Sequence, residues 1–242
     1  MVHGAPDWKL TSGRKTTFQL RDMGEAAARL DSIVNFDRLG DVVWYDDFET
    51  STLKWKPGGV GTGFSVELSN ESAKSGSQSL KLITGSTLAR MVQAVHDLPY
   101  PVLSGYGMEA SFAIGPNIAA IEFWIGAYSQ QNVIEGAVRY QPQENTIQYR
   151  NANADWITFA TGVDLYEDDL TYHTLKLVVD LENAEYVRCR LNEATYDLKE
   201  ISLRVVSASW TPRTELMVRV YSATEENNYV YVDDVVITQN ET

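Results

Sequence analysis

The chain has 242 residues, 44% of them apolar and 11% aromatic, which is ample for one large hydrophobic core and excludes wholesale disorder. No uncharged apolar run reaches the ~18–20 residues of a bilayer span, and 33 acidic against 20 basic residues leave a net charge of −13, which argues against general affinity for nucleic acid or anionic lipid. The single cysteine, Cys189, rules out an internal disulfide and a cysteine-based structural zinc site.

The opening segment, MVHGAPDWKLTSGRKTTFQLRD, lacks the apolar h-region of a secretory signal, which predicts a protein made without Sec export. Residues 1–40 hold six basic and five acidic residues, so the acidity of the chain lies entirely beyond them. Asp22-Met23-Gly24-Glu25 is a capping-box pattern that predicts a short helix over 22–30, with Met23, Ala26, Ala27 and Leu30 on one face. So short a helix needs a surface to cover its stripe. That surface is either one end of the main domain or another protein. On the second alternative residues 1–40 are an assembly arm, with Trp8, Met23 and Leu30 as its anchors.

From residue 41 the apolar period becomes two. Strands are expected near 41–48, 63–68, 78–84, 90–96, 106–114, 119–128, 132–140, 146–151, 155–160, 172–180, 185–191, 202–206, 214–222 and 229–238. Turn signals such as Pro57-Gly58-Gly59, Gly115-Pro116-Asn117 and Glu225-Glu226-Asn227-Asn228 separate them, and the glycine-dense stretch 58–63 reads as a loop. In 172–180, Leu175, Leu177 and Val179 face one way and Thr174, Lys176 and Val178 the other. Short β-branched and aromatic strands without long helical patterns predict an all-β, two-sheet antiparallel jelly-roll sandwich over 41–242, preceded by the helical arm 1–40.

Five aromatics, Trp124, Tyr128, Tyr140, Tyr149 and Trp156, lie in or beside consecutive strands between 119 and 160, among Arg139, Gln141, Gln143, Gln148, Arg150 and Asn151. Such rings serve as core filling or cross-strand pairs, as platforms for sugar rings, or as subunit contacts. Catalytic patterns are absent: His3, His96 and His173 are scattered, and no phosphate loop or nucleophile elbow occurs. Glu109, Glu122 and Glu135 stand isolated in their strands, so a paired-carboxylate glycosidase is not expected. Cys189, alternating with Arg188 and Arg190, reads as a small buried hydrophobe.

Three pieces resemble jelly-roll carbohydrate-binding modules: Asp46-Asp47-Phe48-Glu49 followed by Trp55, the run Ser72–Leu82, and the closing strand Tyr229–Ile237. A fourth, Tyr172–Asp180 followed by Tyr186-Val187-Arg188, is similar to strands of laminin-G-like and concanavalin-like sandwiches. The first resemblance implies a structural Ca²⁺ held by Glu49 and Asp233, with Asp47 as a third ligand and carbonyls near Lys74–Gly76 completing the set. Gly4-Ala5-Pro6-Asp7-Trp8 before a capped helix resembles the start of phage and virus-like structural proteins. Together these readings imply a non-enzymatic virion component, a capsid decoration or tail-associated protein. It would be displayed on the virion surface through contacts of residues 1–40 with other virion proteins, and could form a homo-oligomer. The alternative is a free, extracellular carbohydrate-binding module that recognises a glycan through the 119–160 aromatics. A glycoside hydrolase or polysaccharide lyase on the same sandwich ranks below both.

Overall fold

The computed structural model describes residues 39–86 and 91–241; the expected helix over 22–30, and with it Trp8, Met23 and Leu30, lies outside them. Among the described residues, sixteen antiparallel strands, numbered in chain order, make two eight-stranded sheets. The back sheet contains β1 (Asp41–Asp46), β3 (Ser65–Ser69), β4 (Ser79–Ile83), β6 (Gly105–Ile114), β11 (His173–Asp180), β12 (Glu185–Leu191), β13 (Ala194–Asp197) and β16 (Tyr229–Gln239). Its order is β13-β12-β11-β6-β16-β4-β3, with β1 also on β16. The front sheet contains β2 (Lys56–Val60), β5 (Met91–Leu98), β7 (Ile118–Tyr128), β8 (Asn132–Gln141), β9 (Thr146–Arg150), β10 (Trp156–Thr161), β14 (Arg204–Ser207) and β15 (Arg213–Ser222). It runs β10-β9-β8-β7-β15-β5-β2, with β14 also on β8.

Alternation assigns the faces. In β7, Ile121, Phe123, Ile125 and Ala127 enter the core between the sheets, where they meet Met108, Ala110 and Phe112 of β6 and Leu216, Val218 and Val220 of β15. Burying one such large side chain contributes roughly 1.5–3 kcal/mol. Leu175, Leu177 and Val179 are core residues, as the pattern of 172–180 predicts. Cys189 is also buried there, its thiol pushed up to about 12 by burial.

Strand β16 changes parity partway. Val230 and Val232 face the core, and so do Val235 and Ile237. A bulge between Asp233 and Val236, with Asp234 at φ +47, absorbs the extra residue. Before the bulge β16 pairs with β4, and after it with β1.

Two strands lie where none was expected. β2 occupies the glycine-rich stretch read as a loop and pairs with β5 from Lys56↔Val95 to Val60↔Met91. It is an edge strand, where Pro57 is tolerated because an edge leaves half the ladder unused. At Gly59 a Cβ would sit 2.6 Å from Phe64 Cγ, so the glycine admits the Phe64 ring and does not mark a turn. β13 is four residues long, too short for a periodic signal, and completes a hairpin with β12.

Candidate functional site

On the front sheet, the residues alternating with the core set form an outer face whose composition follows from register. One row crosses five strands as Gln148, Arg139, Glu122, Arg219 and Gln93. The next runs through Ala137, Trp124, Met217, Val95 and Lys56, with Arg150 opposite Trp156 on β9 and β10. A third is acidic: Glu135 and Glu215 lie on either side of Gly126, with Arg204 opposite Glu135 and Asp97 opposite Glu215.

Trp124, Ala137 and Met217 form a small apolar cluster separate from the main core, with Val95 and Trp156 packed against it. The Trp124 and Trp156 rings meet edge to face at 6.0 Å. Guanidinium groups sit over both: Arg150 and Arg219 lie 4.7 and 5.1 Å from the Trp124 centroid, and Arg139 lies 4.4 Å from that of Trp156. These are cation–π distances. Arg139 donates Nε–H to Gln148 Oε1 at 2.6 Å, and Arg219 donates Nε–H to Gln93 Oε1 at 3.1 Å. The ends of the first row thus orient its arginines.

At the centre of that row Glu122 is only 2% exposed. Its Oε2 accepts the Trp124 indole N–H at 2.8 Å and an Arg219 Nη1–H at 3.4 Å. Burial raises its pKa, against the pull of the indole and of Arg219, Arg139 and Arg150.

Beside this row is a cleft of about 200 Å³ lined by Trp124, Tyr128, Glu135, Arg150, Glu215 and Arg219. Gly126 forms part of its lining, and a Cβ there would come within 2.8 Å of Tyr128 Cε2, so the Tyr128 ring folds over the glycine. The Tyr128 hydroxyl donates to Glu215 Oε1 at 3.3 Å, and burial followed by the Glu215 charge raises the phenol pKa. Arg213 stacks on the Tyr128 ring at 4.1 Å and donates to Glu215 Oε2 at 2.9 Å. Glu135 is held by Arg204 at 2.6 Å.

The five aromatics singled out in the sequence therefore divide. Trp124, Tyr128 and Trp156 meet on the outer face, but Tyr140 and Tyr149 do not join them. Tyr140 is fully buried and donates its hydroxyl hydrogen to Val163 O at 3.1 Å, while Tyr149 packs inward against Tyr186 and Phe159. Both alternate with outward arginines and glutamine, which sets their parity. Sequence reasoning missed Glu215, Met217 and Arg219, which register brings in from β15. Their signal was the alternation of Arg213, Glu215, Met217, Arg219 and Tyr221 with Leu216, Val218 and Val220.

Each of the expected calcium ligands has hydrogen-bond partners within the fold. Glu49 accepts from the Ser77 N–H and hydroxyl and from the Gln78 N–H at 2.7–2.8 Å, closing the loop before β4. Asp47 accepts from the Glu49 N–H at 3.2 Å. Asp233 accepts from the Lys74 and Ser75 N–H groups at 2.8 and 3.1 Å, and burial beside Asp234 raises its pKa to about 7. The nearby positive charge is Lys74 Nζ, 3.4 Å from Asp234 Oδ2 and 2.7 Å from Ser111 Oγ. Among the described residues, no three His, Cys, Asp or Glu side chains are arranged to hold a metal. N–H donors and the Lys74 ammonium thus meet the acids of this junction within the fold.

No family model matches the chain, and no curated protein matches it. Solved structures share its architecture at low identity. An endo-β-1,4-glucuronan lyase from the fungus Trichoderma reesei is 10% identical, with a TM-score of 0.59 over 82% of this chain and 96% of that one. The cellulose-induced protein Cip1 is 17% identical, with a TM-score of 0.53 over 81% and 96%. A Bacillus subtilis protein of unknown function with a galectin-like fold is 11% identical, with a TM-score of 0.52 over 83% and 97%. None of these three speaks to a virion role. At such identities the likeness is one of fold, a two-sheet antiparallel jelly-roll β-sandwich.

Proposed function

We propose that the outer face of the front sheet binds carbohydrate. The observation that carries this reading is the assembly of Trp124, Trp156 and Tyr128 on that face, among arginine, glutamine and glutamate side chains, outside a core already filled by other aromatics. Aromatic ring faces suit the C–H faces of a sugar, and fixed polar groups beside them suit its hydroxyls. A fold shared with an endo-β-1,4-glucuronan lyase and with a protein of galectin-like fold is in keeping with a carbohydrate ligand. A glycan array followed by titration calorimetry tests it. Trp156→Ala is expected to weaken binding of the best glycan by about tenfold or more, the equivalent of ~1.4 kcal/mol, with an unchanged melting temperature. Silence across the array, or full binding by the variant, overturns it.

A second reading, hydrolysis or elimination on a bound polysaccharide, is favoured by Glu135 and Glu215 lining one cleft two strands apart. Two strand spacings put the backbones ~9–10 Å apart, near the ~6.5–9.5 Å carboxyl separation of inverting glycosidases. Each carboxylate is, however, already bound by an arginine, so binding ranks first. Polysaccharide turnover abolished by Glu135→Gln or Glu215→Gln would reverse that order.

A further inference from the structure

Resting on the carbohydrate reading, we propose that the ligand is an acidic polysaccharide whose carboxylates are read by Arg139, Arg150 and Arg219. All three guanidiniums lie within 5.1 Å of a Trp124 or Trp156 ring centroid, and Glu122 is the one carboxylate in the row of Arg139 and Arg219, with Arg150 in the row beside it. It is buried, accepts the Trp124 indole N–H and meets Arg219 Nη1 at 3.4 Å, so a single carboxylate stands against three cations. The other acids of the face have their own partners: Glu135 with Arg204, Glu215 with Arg213, and Asp97 with Lys56. What is left over is positive charge.

The back sheet supplies the contrast. Its outward cations Lys176 and Arg188 each reach a carboxylate oxygen of Glu241 at 2.6 Å, so each has a close charged partner within the fold. On the front sheet, Arg139 and Arg219 take neutral amide oxygens at Nε, and the further contacts of Arg219 are long, at 3.3–3.4 Å. Gln148 and Gln93 thereby fix the forks without discharging them, the preorganisation that bidentate carboxylate binding needs. Arg139 and Arg219 flank β7, two strand spacings or ~9–10 Å apart, a separation comparable to a disaccharide repeat. A chain of net charge −13 repels polyanions in general, so binding one calls for a local island of positive charge such as this.

The test uses the full chain with polygalacturonate, polyglucuronate and alginate, each beside its carboxyl-reduced neutral counterpart, and a sulfated galactan. At least one polyuronate is expected to bind at least about tenfold more tightly than its neutral counterpart, a difference of ~1.4 kcal/mol. Arg139→Gln with Arg219→Gln should remove that preference while leaving a residual, Trp156-dependent affinity. Arg150→Gln alone, which leaves the row intact, should reduce the preference in part, and melting curves identify any variant that does not fold. Equal binding of a polyuronate and its reduced form overturns the acidic assignment and leaves the carbohydrate reading standing. Tighter binding of the sulfated galactan overturns the carboxylate assignment. Binding to none of the polymers, by a chain that is also silent on the array, overturns both readings.

Discussion

Glu122 lies between Arg139 and Arg219 in register, with the Trp124 indole N–H on its carboxylate. Burial is the largest influence on it and raises its pKa, so the folded protein holds this proton more readily than the unfolded chain does. The stability linked to Glu122 is therefore fully present below the unfolded value of roughly 4.3–4.5 and is lost as pH rises through the folded value. Glu122→Gln should remove that loss and stabilise the protein at pH 7–8 by an amount on the order of 1 kcal/mol, with the gap to wild type closing towards pH 4.5. Thermal melts across that range decide it; a variant that melts lower at every pH would mean that pairing with the arginines outweighs desolvation. At this scale much was legible in the sequence. Tyr140 follows Arg139, and Tyr149 stands between Gln148 and Arg150, so the charged neighbours already placed those two rings inward. Trp124 was harder, because its strand neighbours Phe123 and Ile125 are apolar and its own row is completed by β8 and β15.

Elements went astray where glycine and short length mimic a loop. β2 reads Lys-Pro-Gly-Gly-Val, and only the Phe64 ring over Gly59 explains why a strand needs that sequence. Gly59→Ala should therefore cost about 1–3 kcal/mol, as overpacking does, and lower the melting temperature. Gly58→Ala should cost less, because its Cβ would meet only the flexible Gln93 side chain, at 3.0–3.4 Å. Equal effects would show that glycine flexibility alone matters there. The β16 bulge carries a second element-scale prediction. The Lys74 ammonium lies 3.4 Å from buried Asp234, the neighbour of buried Asp233, and also bonds Ser111, so Lys74→Met should destabilise by about 3 kcal/mol, the cost of breaking a buried pair. Calcium or a chelator should leave the wild-type melt unchanged. A melt lowered by chelation would show that an ion sits beside Asp234 after all. The resemblance pointed to the acids of this junction, but it could not show that backbone N–H groups and a lysine lie against them.

For the molecule as a whole, period-two patterning was enough to give the fold class, because a half-buried strand must alternate wherever it sits. It gave no neighbours: that β7 lies between β8 and β15, nearly ninety positions apart in places, depends on contacts no local pattern carries. The candidate face was hidden for the same reason, since it is built from rows that cross strands. Charge links this scale to function through two effects of opposite sign. A body of net charge −13 repels itself, so salt should stabilise the fold by screening. The arginine island attracts an acidic ligand, so the same salt should weaken binding. The Debye length shrinks from ~30 Å at 0.01 M to ~10 Å at 0.1 M and ~3 Å at 1 M. Between the first two, mean repulsion is largely removed while contacts within 5 Å persist. Raising salt from 0.01 to 0.1 M should thus lift the melting temperature with a modest loss of polyuronate affinity, and further salt should reduce affinity with little more gain in stability. Melts and titrations on one salt series measure both. Affinity that does not change across the series would mean that rings and hydroxyls, and not the three arginines, hold the ligand.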